Sequence, residues 1–253
     1  MTNEIKNNLI AVYSASKGVG KTWFAGILSQ TLSMLEKKVL FFDADGGIEN
    51  IAYQFGLKSS DLYLKMLKND ITLNNAVQTC PNGRFDMICA QPAQNDLNAY
   101  PIGRSQILAQ DLKNFAPNYD YVIIDCSNNN QKLKNIFLHC ASKIILIIEP
   151  SLKSSTGAYK ELEQIKKISA DAQTYILVNH ALSYNEGEQI FKTLLTADKQ
   201  YIGSNPIYLG TIKQNGRIRD CVKNKTTLYD RYPVSESITE IKTIAQKLIN
   251  EEN

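Results

Sequence analysis

Short apolar runs alternate with longer stretches in which apolar residues return every three or four positions. The first run, residues 9–13, is rich in strand formers, and a small, polar, glycine-containing stretch follows it. Then Phe24, Ile27, Leu28, Thr31, Leu32 and Leu35 recur at helical spacing. Lys37 and Lys38 suit the negative end of that helix. Further strands are expected at 39–42, 85–90, 121–124, 144–148, 175–178 and 207–209. Helical patterns lie at 103–115, 130–140, 154–169, 185–197 and 235–250, with short helices near 61–67 and 73–77.

Strands that are apolar throughout belong to a parallel sheet covered on both faces. Strand–helix alternation requires right-handed crossovers. The expected fold is α/β, a doubly wound, mainly parallel sheet with helices on both faces. No linker, repeat or low-complexity tract interrupts it, so residues 1–253 read as a single domain.

The first strand-to-helix connection carries chemistry. Residues 15–22 read Ala-Ser-Lys-Gly-Val-Gly-Lys-Thr, and Gly-x-Gly-Lys-Thr between a strand and a helix is the informative half of a P-loop. Glycines let backbone N–H groups converge on an anion, and the helix N-terminus adds a positive dipole. Lys21 is expected to reach the β- and γ-phosphates and Thr22 to give its hydroxyl to Mg²⁺. The nucleotide-binding set is Ser16, Lys17, Gly18, Val19, Gly20, Lys21, Thr22 and Trp23. One position departs from the general pattern: Ala15 stands where the motif opens with glycine.

Acidic residues follow two of the apolar runs. Asp125 ends the run at 121–124, where a Walker B acid holds Mg²⁺ through water. Asp43 and Asp45 follow 39–42; one would orient the attacking water and the other contact Mg²⁺. Asp-x-Asp-Gly-Gly is also good turn chemistry, and that reading stays open.

These segments resemble the ParA/MinD family of P-loop ATPases. The resemblance rests on residues 16–22, 39–50 and 119–125. Residues 20–25, the Leu-Val-Asn at 177–179, the Glu-Gly at 186–187 and the Leu-Gly-Thr-Ile at 209–212 look like its FlhG-like or MinD-like branch. The resemblance implies a P-loop NTPase fold, ATP/ADP and Mg²⁺ as cofactors, and an ATP-dependent homodimer with slow hydrolysis. It also implies a positioning role toward a partner complex. It makes Asp43 and Asp45 the aspartates of the first switch region and Asn179 the residue that reads adenine. Two departures stand out. Ser16 fills the place of the family's signature lysine, with Lys17 one position later, and Cys126 and Ser127 replace the proline that follows the Walker B acid. The catalytic set is therefore Lys21, Asp43, Asp45 and Lys17, and the metal set Thr22, Asp45 and Asp125.

Composition adds limits. Hydrophobic residues make up 43% and charged residues 21%, ordinary for a globular protein. The net charge of +3 does not demand a nucleic-acid partner. Lys213, Arg217, Arg219, Lys223, Lys225 and Arg231 do cluster, which reads as a nonspecific DNA surface or as an ordinary solvated face. Ile238, Ile241, Ile244, Leu248 and Ile249 form a terminal stripe. The acidic end of the chain disfavours a membrane anchor, so the stripe is expected to pack as the last core helix. Five cysteines without C-x-x-C spacing read as buried free thiols, and His139 and His180 as isolated structural residues. With no leader-like or spanning segment, a cytoplasmic location is expected. The leading functional reading is an ATP-driven dimerising switch that acts on an unidentified protein partner. The alternative is a nucleotide-binding scaffold with lost or weak ATPase activity.

Overall fold

A computed structural model of the chain describes residues 8–44, 51–58, 61–89, 101–126 and 130–251. In chain order the elements are β1 (Leu9–Ser14), α1 (Lys21–Met34), β2 (Val39–Asp43), α2 (Ile51–Gln54), α3 (Leu62–Lys68) and α4 (Leu73–Ala76). There follow β3 (Gln78–Thr79), β4 (Asp86–Ile88), α5 (Ile102–Phe115), β5 (Tyr121–Asp125), α6 (Gln131–Cys140), β6 (Lys143–Ile148) and α7 (Leu152–Ile168). The chain ends with β7 (Gln173–Ala181), α8 (Tyr184–Tyr201), β8 (Ile207–Lys213), α9 (Gly216–Lys223), α10 (Leu228–Arg231) and α11 (Glu236–Asn250).

The strands form one sheet in the order β3-β4-β2-β5-β1-β6-β7-β8. All neighbours run parallel except the β3–β4 pair. Every residue of β1, β2 and β5 is buried, as covered parallel strands require. Alternation along β1 splits the core in two. Leu9, Ala11 and Tyr13 face the side covered by α5, α6 and α7. Ile10 and Val12 face α1 and α11. The terminal stripe is in the second layer, with Ile238, Ile241, Ile244 and Leu248 all buried. The doubly wound sheet expected from the pattern is present.

The differences have a common cause. The apolar runs stop at polar residues, but a strand continues as long as a neighbour takes its hydrogen bonds. Thus β7 extends through Asn179 and His180 to Ala181, and β8 runs on to Lys213, which pairs with Ala181. At the other edge β4 covers only Asp86–Ile88 of the run at 85–90, the three residues that pair with Leu40–Phe42 of β2; residue 90 lies outside the described residues. Four of the five cysteines are buried and all are free thiols; Cys140 is half-buried.

Gly187 shows how closely the layers approach. A Cβ there would fall 1.8 Å from Thr211 Oγ1 and 2.9 Å from Thr211 Cβ, so α8 rests on β8 only because residue 187 has no side chain. Gly187→Ala is expected to lower stability by about 1–3 kcal/mol through overpacking. Urea unfolding followed by circular dichroism measures this; an unchanged midpoint contradicts the close approach.

Candidate functional site

β1 lies at the middle of the sheet and delivers the loop at its carboxyl end, the edge where open α/β sheets bind ligands. Two turns of that loop need glycine: Gly18 has φ 80° and Gly20 φ 87°, the left-handed region that side chains avoid. Helix α1 begins at once with Lys21, and no acidic residue occupies its first turn to cancel the dipole. Val19 and Trp23 are buried and anchor the loop in the α1–α11 core layer, whereas Lys17 and Gly18 are exposed. Ser14 Oγ donates to the Ser16 carbonyl at 2.9 Å and tightens the entry. Open glycine turns, an exposed rim and an uncompensated helix N-terminus suit an anion.

Lys21 is the one lysine of the loop drawn inward. Its Nζ stands 2.5 Å from Asp125 Oδ1 and 3.5 Å from Thr22 Oγ1. The lysine is 7% exposed and the aspartate not at all. β5 neighbours β1, and Val12 pairs with Asp125 in register, so the acid emerges beside the loop. β2 comes next, and Asp43 pairs with Asp125 across the strands. The sheet thus gathers Lys21, Thr22, Asp125 and Asp43 at one edge. Asp45, expected in the same group, lies outside the described residues, as does Ser127.

Asn179 also reaches the loop, from β7. Its Nδ2 donates to the Val19 carbonyl at 2.8 Å, and its Oδ1 has no hydrogen-bond partner among the described residues. The side chain is 1% exposed, and a Cβ on Gly20 would sit 2.6 Å from its Nδ2. In this structure Asn179 braces the phosphate loop. The expectation of a base-reading residue did not anticipate that bond.

Three supports were not legible in the sequence. Ala15, the departure from the motif, faces Gly157 of α7; a Cβ on Gly157 would lie 2.9 Å from the Ala15 methyl. The extra methyl at the start of the loop therefore has its room in α7. Below the loop, Lys134 of α6 is 2% exposed. It donates to Tyr13 Oη at 3.1 Å and to Glu161 Oε2 at 3.1 Å. Burial, and then the Glu161 carboxylate, push the Tyr13 phenol far above its ordinary value, so it stays protonated. Lastly, His180 is not isolated: its Nδ1 lies 3.7 Å from Glu149 Oε2.

The basic cluster is partly spent elsewhere. Lys213 pairs with Glu236 at 2.5 Å and Arg231 with Asp220 at 2.5 Å. Lys225 lies over the Tyr53 ring and Arg217 over Tyr232. No helix among the described residues is long and apolar enough to cross a membrane.

The Ala15–Gly157 contact is testable by a double-mutant cycle. Gly157→Ala is expected to cost about 1–3 kcal/mol by overpacking, and Ala15→Gly in the same chain to restore at least half of it. Additive losses in thermal unfolding contradict the complementarity.

The comparisons with known proteins agree with this geometry. A family model described as an AAA domain matches residues 7–178. The antiactivator FleN of Pseudomonas aeruginosa is 23% identical over 240 residues, covering 95% of this chain and 85% of FleN. The flagellum site-determining protein YlxH of Helicobacter pylori is 25% identical over 247 residues, covering 94% of this chain and 82% of YlxH. Among solved structures, the septum site-determining protein MinD of Pyrococcus horikoshii, complexed with Mg-ADP, superposes with a TM-score of 0.81. That match has 18% identity and covers 97% of each chain. The fold, the loop and the family match together place this chain in the AAA-domain family, within the ParA/MinD group of P-loop ATPases and its FlhG-like and MinD-like branch.

Proposed function

We propose that this chain is an ATP-dependent dimerising switch that positions or regulates a partner complex, with slow Mg²⁺-dependent hydrolysis. The observation that carries this reading is the buried Lys21–Asp125 pair. Both partners have other work when nucleotide arrives. Lys21 would move to the β- and γ-phosphates, and Asp125 would turn to the water shell of Mg²⁺, with Thr22 supplying its hydroxyl. One ion pair is thereby exchanged for another, and the strand ends carrying Asp43 and Asp125 must follow. That is the form of a two-state element which a ligand can bias. Bound Mg²⁺ would supply charge neutralisation at the phosphates.

Other residues take supporting roles. The backbone from Ser16 to Thr22 would cradle the phosphates, with Trp23 anchoring the start of α1. Asp43 and Asp45 would hold the attacking water and the metal's outer shell. Asn179 would offer its Oδ1 to the adenine amino group while Nδ2 keeps the Val19 carbonyl, so one side chain would both brace the loop and meet the base. Lys17, exposed at the rim, would cross to a second copy in place of the signature lysine. The relatives support a positioning role: one is named an antiactivator and another flagellum site-determining. A MinC:MinD complex from Aquifex aeolicus shows a neighbour of this fold engaged with a partner protein.

The second reading, a nucleotide-binding scaffold without appreciable turnover, is favoured by one observation: the shorter Ser16 occupies the signature position. Measuring ATP turnover and solution mass together, with Mg-ATP against Mg-ADP, separates the two. Slow turnover with an ATP-dependent dimer supports the switch. Binding with neither supports the scaffold.

Lys21→Ala is expected to weaken Mg-ATP binding by roughly tenfold or more, since charge-assisted hydrogen bonds contribute about 1.5–3 kcal/mol. Unchanged affinity in calorimetry contradicts the phosphate role. Lys17→Ala is expected to leave the affinity of the single chain unchanged and to reduce the ATP-dependent dimer. A full dimer by light scattering assigns Lys17 to solvent.

A further inference from the structure

A buried ammonium ties the helix that follows Asp125 to the strand that carries the phosphate loop. Lys134 is 2% exposed and closes the first turn of α6. An ammonium has three N–H donors, and here each has an acceptor. Tyr13 Oη lies at 3.1 Å, Glu161 Oε2 at 3.1 Å and Gln164 Oε1 at 3.4 Å. Tyr13 is in β1, just before Ser14 and the loop. Glu161 and Gln164 are in α7. That helix also backs the loop, since Gly157, one turn before Glu161, faces the Ala15 methyl.

Helix α6 reaches the acidic strand ends as well. Cys126, next to Asp125, donates its N–H to the Val12 carbonyl at 3.0 Å. The helix starts soon after, at Gln131, and the Asn130 side chain caps it by accepting the Leu133 N–H at 2.9 Å. One turn beyond Lys134, Phe137 packs on Phe42 with ring centroids 5.3 Å apart. Phe42 immediately precedes Asp43. One helix thus meets β1 beside the loop and β2 beside Asp43, and it continues the chain from Asp125 of β5. The two kinds of contact differ in tolerance. Apolar packing is non-directional and accepts small slips. Hydrogen bonds from a buried ammonium do not, because a slip strands a charged donor away from water. Phe137 fills the layer, and Lys134 fixes the level of α6 along β1.

We propose that Lys134 is a positioning residue for ATP hydrolysis: through Tyr13, Glu161 and Gln164 it sets α6, and with it Asp43 and Asp125, against the phosphate loop. This rests on the reading that the loop binds and hydrolyses a nucleotide. The glycine turns, the α1 dipole and Lys21 hold phosphate without help from α6. The network therefore bears on turnover more than on affinity.

The test uses the full chain, with Mg-ADP affinity measured by calorimetry and ATP turnover at saturating Mg-ATP. Lys134→Met alone leaves the mostly buried Glu161 carboxylate unpaired, so it is combined with Glu161→Gln, which removes both charges and keeps both lengths. Circular dichroism checks the fold of the paired variant. Tyr13→Phe, which removes a single hydroxyl, carries the same test if that variant is unfolded. The paired variant is expected to bind Mg-ADP within about threefold of the wild type and to turn over ATP roughly tenfold or more slowly. Tyr13→Phe is expected to show the same split at about two- to fivefold. Hydrogen exchange gives a reading independent of turnover. Mg-ADP is expected to slow exchange at the start of α1 in every variant, and in α6 only where the network is intact. Wild-type turnover in the folded variant, or turnover and affinity that fall together, overturns the positioning role and leaves the nucleotide reading intact. Protection of α6 that survives in the paired variant does the same. A wild type that binds Mg-ADP but shows no turnover, or binds none, overturns the positioning role together with the hydrolysis reading.

Discussion

The site depends on one buried ion pair, Lys21 with Asp125. A lysine and an aspartate removed from water are costly to each other's surroundings, and the cost is met only when their geometry is close. Here it is met at 2.5 Å, which fixes several things at once. Asp125 must end β5 level with Val12 of β1. The loop must then turn back so that the first residue of α1 projects toward the neighbouring strand. Two left-handed glycines make that turn. A sheet with β5 and β1 in any other arrangement would strand both charges. The pair is thus a constraint on topology before it is a participant in chemistry, and a ligand that offers each partner a better companion acts directly on that constraint.

How much of this the sequence displays follows from what each residue has to do. Gly18, Gly20, Lys21 and Thr22 are legible because positive φ and anion binding restrict the residue types that can stand there. Asp125 is legible because it ends an apolar run. The reach of β7 is not, since Asn179 and His180 look like the end of a strand and instead fill an irregular step before the pairing with β8 resumes at Ala181. Gly157 and Lys134 are silent for another reason. Each matters only through a residue far away in the chain, Ala15 and Tyr13 respectively, and no local pattern records such a pairing. The histidine beside Glu149 is hidden for the same reason, since the two lie on neighbouring strand ends 31 positions apart.

The departures from the P-loop pattern look different once their neighbours are seen. Ala15 in isolation suggests a strained or weakened loop. Its methyl lies against a glycine of α7, where any side chain would collide. The loop's bulk has been moved from one element to the other, and the space is conserved between them. Ser16 stands where the family carries a cation, and the lysine beside it, Lys17, is exposed. The two substitutions therefore carry different weight. The first alters packing and leaves the anion cradle in place. The second removes a charge from the rim, which matters only where the rim meets another molecule.

This separates binding from dimer formation in physical terms. Among the described residues, the features that suit a phosphate chain (helix dipole, glycine turns, buried lysine and a neighbouring carboxylate) lie within one chain. The part in question, the cation that reaches outward, is at the exposed lip. Beneath the loop, Lys134 ties β1 to α6 and α7 through Tyr13 and Glu161. The Tyr13 phenol stays protonated there, held up by burial and by the Glu161 carboxylate. The floor of the site is buried, and the exposed lysine of the loop, Lys17, is at the rim. A site with a buried floor and an exposed cation at its rim ties control of nucleotide to the surface that a second molecule would meet.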